Sequence, residues 1–228
     1  MKRLLPLLVS GICAVSISLA QFEGIVETRN LTTDEAGKPQ QFKITMWIKS
    51  DRVRVQSTAF GSSPASTMIY RSDRKVTWML NEDERTYFEI LQKTQPSPER
   101  PYSGEELHPT ISRTGKTRKV LGYPCEQVLV KRENEETVIW GTKSLASLSV
   151  TIRRVLGEPE TGAPGGWQEQ LDALGLYALS ASTRIEGALV EQQETTKIEK
   201  REVASGLFEL PAGYRKQDIG EMSGEIGK

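Results

Sequence analysis

His108 is the one histidine of the chain and Cys125 one of its two cysteines, so nucleophilic or metal chemistry would have to start from these side chains. A histidine base needs a nucleophile and an orienting group within hydrogen-bond reach. His108 is followed by Pro109 in an irregular stretch, Ser112 lies nearby, and no G-x-S-x-G elbow is present, so an exposed loop histidine accounts for it. Cys125 could serve as a nucleophile, a redox thiol or an intermolecular disulfide partner, and as a thiolate it would need basic or helix N-terminal help. It stands behind Pro124 with Glu126 beside it, the reverse of such help, and reads as a small buried apolar residue. Zinc requires clustered histidine, cysteine or carboxylate ligands, which one histidine and a lone downstream cysteine do not supply. Asp34-Glu35 and Asn81-Glu82-Asp83-Glu84 read as solvated acidic turns; the second could weakly collect calcium but lacks the glycine and spacing of a dedicated loop. No glycine pattern follows a strand to cradle phosphate, and among 30 acidic residues nothing singles out a catalytic pair. The expectation is a protein that is not an enzyme, with no cofactor and no metal.

The address is clearer than the chemistry. Lys2-Arg3 precedes an apolar run from Leu4 to Leu19, and Ser18-Leu19-Ala20 offers the small residues a signal peptidase reads. The run is short for a membrane span and no flanking charge follows it. The expectation is a signal peptide over residues 1–20, cleaved between Ala20 and Gln21, and a periplasmic or secreted protein with no transmembrane segment in its mature chain. Lipidation at Cys13 is rejected, because Ile12 is not the small residue a lipobox wants and the cysteine falls too early. Thirty basic and 30 acidic residues are interspersed, which gives no electrostatic footprint for nucleic acid or an anionic membrane. With Cys125 alone remaining after cleavage no internal disulfide can form, so the fold must stand on its core.

The elements that would carry any site are mostly strands. Two apolar-rich runs, Cys125 to Lys131 and Thr137 to Thr142, flank a charged link and read as an antiparallel hairpin. Gln41 to Lys49 alternates cleanly, with Phe42, Ile44, Met46 and Ile48 on one face. Trp47 falls on the other face, where such a residue usually packs under a neighbouring loop and less often marks a binding surface. A meander of short strands continues to Leu91, and Leu176–Glu186 and Glu191–Val203 form two more around Gly187-Ala188. Helical spacing appears over 144–156 and again over 167–174, while Gln92 to Pro109 is broken by proline and glycine. One domain over 21–216 is expected, with a flexible tail over 217–228.

The run TGKTRKVLGYPCEQVLV and the segment Phe208-Glu209-Leu210-Pro211-Ala212-Gly213-Tyr214 together resemble an uncharacterised bacterial family of secreted domains. That family is in turn similar to the LolA/LolB-like superfamily of lipoprotein-localisation factors. The resemblance implies a mainly β (α+β) fold, a curved antiparallel sheet forming an incomplete β-barrel capped by short helices. Such a half-barrel would hold a lipid, acyl chain or other hydrophobic ligand between sheet and helical lid. The candidate lining is Phe42, Ile44, Met46, Val53, Val55, Trp78 and Trp140 from the sheet with Leu148, Ile152 and Trp167 from the lid, although each taken singly reads first as ordinary core. Expected partners are therefore a lipid or lipoprotein acyl chain. The alternative is an envelope protein, docked on a domain whose core is filled.

Overall fold

The computed structural model describes residues 21–34, 37–58, 65–92, 109–156, 171 and 173–218. The expected signal peptide, most of the proline-rich stretch, His108, Trp167 and the end of the tail lie outside them. Six strands come first: β1 (Gly24–Thr33), β2 (Pro39–Lys49), β3 (Arg52–Ser57), β4 (Ser66–Arg71), β5 (Val76–Asn81) and β6 (Thr86–Leu91). They are followed by β7 (Thr110–Val120), β8 (Tyr123–Arg132) and β9 (Glu135–Thr142), then by a 3-10 turn and helix α1 (Ala146–Leu156). The chain ends with β10 (Tyr177–Ile185), β11 (Ala188–Lys200) and the short β12 (Arg215–Gln217). All the described strands join one sheet in the order β12-β6-β5-β4-β3-β2-β1-β11-β10-β9-β8-β7.

Most neighbours are joined by tight hairpins, and the residues between them explain why. Leu121-Gly122 and Glu186-Gly187 are two-residue turns with φ of 50° and 81°, and of 51° and 85°. Two successive left-handed residues match the twist of the flanking strands, and glycine at the second position adopts this without a Cβ penalty. Register shifts interrupt β11 opposite Glu27/Thr28, β10 at Ala178/Ser180 and β7 at Arg113/Thr117. Each bulge adds local twist, which curves the sheet. The result is a mainly β, curved open sheet of twelve strands that does not close. The expected curved open sheet is present, and of the expected capping helices one, α1, is delimited among the described residues, with Leu171 and Ala173 helical in the second predicted stretch.

α1 forms where the spacing predicts it. Thr142 starts the turn by accepting a hydrogen bond from the Ser144 N–H at 3.2 Å. Leu148, Thr151 and Val155 then fall on the buried side at helical spacing. Thr151 is a β-branched residue in mid-helix, and its hydroxyl is satisfied by the Ser147 carbonyl at 2.8 Å. Arg154 donates to the Ser50 carbonyl at 2.8 Å, tying the far end of the helix to the β2–β3 turn.

The sheet is covered on both sides. Beneath α1, Leu148 and Val155 pack with Val26, Ile48 and Val53, all five fully shielded from solvent. On the other face of β2 to β5, Trp47, Ile69, Trp78 and Leu80 pack beneath Val203, Leu207, Phe208 and Leu210 of the C-terminal segment. A third cluster joins Val128, Val130, Ile139 and Ala181 to Leu171 and Leu176. Trp47 therefore takes the packing role: the segment covering it arrives from the far end of the chain.

Candidate functional site

Cross-strand partners on a sheet share a face, so the pairings locate each predicted lining residue. Val26, Met46, Val55, Met68, Met79 and Phe88 follow one another directly across β1 to β6. This is the face that carries α1, since Val26, Met46 and Val55 all pack in the helix cluster. Val26 is buried, whereas the other five are half-buried, and Met68, Met79 and Phe88 lie outside the helix cluster. Ile44 and Phe42 extend the same face along β2 and are also half-buried. Three of the five methionines of the chain stand in this one row. Unbranched, polarizable methionines suit a surface that must adapt to what it holds.

Phe42, Ile44, Met46 and Val55 share one face of the sheet, and Val53, Leu148, Ile152 and Trp140 pack in the same cluster as Met46 and Val55. Val53 and Leu148 are core, fully shielded against one another's elements, and Ile152 packs against the same cluster. The cavity expected between sheet and lid is, at this point, filled by side chains. Trp78 needs a correction. It pairs with Ile69, whose neighbour Tyr70 pairs with Val53, so alternation puts Trp78 on the opposite face from Val53 and Val55. There its indole N–H donates to Glu89 at 3.0 Å, and it is buried under the C-terminal segment. Trp140 pairs with Gln127 and Ser180 outside the methionine row, yet it packs against the same helix cluster, and the Arg118 guanidinium lies 4.1 Å from its ring centroid. Trp167 lies outside the described residues.

The sequence reading missed Met68, Met79 and Phe88. Their signal was present: Met68 alternates with Ile69, and Phe88 with Tyr87 and Glu89. In strands buried on both faces, apolar residues occur at both parities, so the alternation does not say which face is which.

The Phe208–Tyr214 motif is explained by the outer face. Lys49 Nζ donates to the Val203 carbonyl at 2.8 Å, Arg54 to the Leu207 carbonyl at 3.3 Å and Arg71 to the Phe208 carbonyl at 3.0 Å. Three successive strands, β2 to β4, thus each hold the returning backbone through one cation. Arg71 is only 2% exposed, and its guanidinium is also forked onto Asp73 at 2.8 and 2.7 Å and bonded to Glu209 at 2.6 Å. These bonds raise the Arg71 pKa and hold the Asp73 carboxyl below its usual range. Past the turn at Gly213, β12 pairs in parallel with β6. The motif is a strap that covers one face of the sheet.

Cys125 is buried at 3% exposure, and burial pushes its thiol pKa up, away from the thiolate. Among the described residues no group of three or more His, Cys, Asp or Glu is placed to hold a metal ion. An open groove of about 380 Å³ is lined by Glu27, Arg29 and Lys43, which alternate away from Val26, and also by Phe42 at the edge of the predicted lining. Its charges are already used, Lys43 on Glu27 and Arg29 on Glu194. No helix of the described residues is long and apolar enough to cross a membrane.

The fold and the candidate site together define an open, curved antiparallel sheet with a strapped outer face and a methionine-lined inner face. The chain belongs to the family described as Domain of unknown function (DUF4412), which matches residues 22–214. This meets the resemblance read at Gly122–Glu126 and Phe208–Tyr214. Among curated proteins, no relative matches. Among solved structures, the chain is similar to an uncharacterized conserved protein from Thermus thermophilus, with TM-score 0.46 and 7% identity over 86% of this chain and 90% of that one. It is also similar to PNGF-II, with TM-score 0.40 and 16% identity over 90% of this chain but 33% of that one. A LolA superfamily protein from Nitrosomonas europaea matches with TM-score 0.35 and 10% identity over 83% of this chain and 91% of that one. No activity is carried over from these structures.

Proposed function

We propose that this protein is a non-catalytic binding module of the bacterial cell envelope, exported by residues 1–20, that holds an acyl chain or another apolar ligand. The observation that carries the reading is the row Met46, Val55, Met68, Met79 and Phe88, half-buried on the inner face. A flexible chain laid along this row would cover apolar surface that α1 leaves open, and each buried methylene would contribute about 0.8 kcal/mol. Phe42 and Ile44 would continue that surface at one side. The alternative lodging, a cavity under the helix, is occupied by Val53 and Leu148.

The test is native mass spectrometry of residues 21–228 purified from a bacterial periplasm without detergent, followed by organic extraction. Excess mass that leaves with the organic phase supports a carrier. An unliganded mass that stays unchanged when fatty acid or phospholipid is added sinks it. A second reading, docking of an envelope protein, is favoured by Ile90 and Leu91 at the end of β6, which are 40% and 70% exposed. Ile90 shares the face of Phe88 and would extend the apolar strip toward a partner, while Leu91 alternates onto the other face.

A further inference from the structure

Moving along the strands, the apolar row is bordered by a row rich in hydroxyls. Thr195, Thr28, Ile44, Ser57 and Ser66 are successive partners across β11, β1, β2, β3 and β4. They share the inner face with Val26 and Met46, because Thr28 and Ile44 stand two residues from them on the same strands. Thr28, Thr195 and the neighbouring Asn30 are buried, at 3%, 2% and 8% exposure. Asn30 donates to the Thr28 hydroxyl at 3.2 Å, and Ser57 and Ser66 share a hydrogen bond of 2.8 Å.

Thr195 differs from the rest: its hydroxyl is buried and has no hydrogen-bond partner among the described residues. Buried polar atoms without partners are rare in native structures, and each calls for an explanation such as a ligand that meets it. Thr28 accepts from Asn30, which leaves its own proton to donate, and Thr195 can both donate and accept. The two residues are direct partners on adjacent strands, so one acceptor atom between them could take both protons. The charged neighbours Glu27, Arg29 and Glu194 alternate onto the other face, where they pair with Lys43 and with each other. The patch is therefore polar, buried and uncharged. An ionised carboxylate or phosphate would be desolvated there without a cation to pair it.

Resting on the reading that the methionine row holds an apolar chain, we propose that Thr195, Thr28 and Asn30 form its head-group subsite. The ligand class is an amphiphile with an uncharged hydrogen-bonding head, such as the ester carbonyl and hydroxyls of a monoacylglycerol, and not a free fatty-acid anion or a phospholipid. The head would sit on Thr28 and Thr195 and the chain would run across Met46, Met68 and Met79.

The experiment compares a monoacylglycerol, the fatty acid of the same chain length at pH 8, and a phospholipid, by displacement of a fluorescent chain from residues 21–228. The native protein is expected to prefer the monoacylglycerol. Thr195→Val, which keeps the shape and removes the hydroxyl, is expected to weaken monoacylglycerol roughly threefold to tenfold and leave fatty acid unchanged. Its thermal midpoint should not fall, because the hydroxyl it removes has no hydrogen-bond partner among the described residues. Preference for the anion, or the same ratio in Thr195→Val, overturns the head-group subsite and leaves the carrier reading standing. Failure of every chain to bind overturns both.

Discussion

Arg71 Nη1 lies 2.6 Å from Glu209 Oε1, across 138 residues of sequence, and this contact locks the end of the chain onto the sheet. A guanidinium 2% exposed can be tolerated only with its donors satisfied, and here Asp73, Phe208 and Glu209 share them. Arg71→Lys replaces the planar fork with a point charge and leaves acceptors unmet. The expected loss is about 3 kcal/mol, read as a lower urea midpoint with an unchanged slope. A loss within about 0.5 kcal/mol would mean that the strap is held by Phe208 packing alone.

Acid should loosen the strap before it unfolds the sheet. Bonding to Arg71 holds Asp73 below its usual range, the Val203 N–H does the same for Glu23, and Lys216 with the Trp78 indole does so for Glu89. A carboxyl depressed in the fold contributes stability that is full above its unfolded pKa and is lost as pH falls through its folded one. Tryptophan fluorescence from Trp47 and Trp78 should therefore be flat between about pH 5 and 8 and change below about pH 4. A transition centred near neutrality would contradict this assignment.

The double substitution Met68→Glu with Met79→Glu places two carboxylates on half-buried positions of the inner row. Folding should survive, since α1 is packed on Ile48 and Val53 instead. Binding of any acyl chain should fall at least about tenfold, as a charge against the chain loses its water. Conversion of the same methionines to sulfoxide by mild peroxide should act in the same direction. Undiminished chain binding in either case would move the ligand elsewhere.

Leu121 adopts φ 50° in the turn before Gly122 and is 46% exposed. A leucine gains nothing from burial there and carries the cost of a left-handed backbone, which asparagine tolerates better. Leu121→Asn should stabilise the protein by about 0.5–1 kcal/mol. Thermal unfolding reads this directly, and a destabilised variant would refute the turn assignment.

Residues of strict alternation carried most of what was legible in the sequence. Phe42, Ile44, Met46 and Ile48 declare one face of β2 without any knowledge of its neighbours, and Gly187 declares the last long hairpin. Trp78 could not be placed the same way. β5 is buried at Val76, Thr77, Trp78 and Leu80, so both of its faces are covered and its parity carries no sign. What covers the second face is a segment more than a hundred residues away, and local pattern does not reach that far. β7 was missed because it is an edge strand, polar and exposed along most of its length. β12 was missed because three residues, Arg215–Gln217, make no periodicity at all.

The placement of β1 in mid-sheet sets the order in which the molecule can assemble. Its first partner, β2, is adjacent in sequence, but its second is β11, and Gly24 must find Lys200. Gly24 packs so closely there that a Cβ would stand 2.2 Å from the Glu199 carbonyl oxygen, which ties the register to a residue without a side chain. The meander from β1 to β6 can form hairpin by hairpin while its leading edge stays unpaired, and the same holds for β7 to β9. Joining the halves closes a loop that spans most of the chain, a step whose entropy is met before its contacts are made. Folding should therefore be slow, on the order of milliseconds to seconds, with the open β1 edge exposed to chaperones until β11 docks.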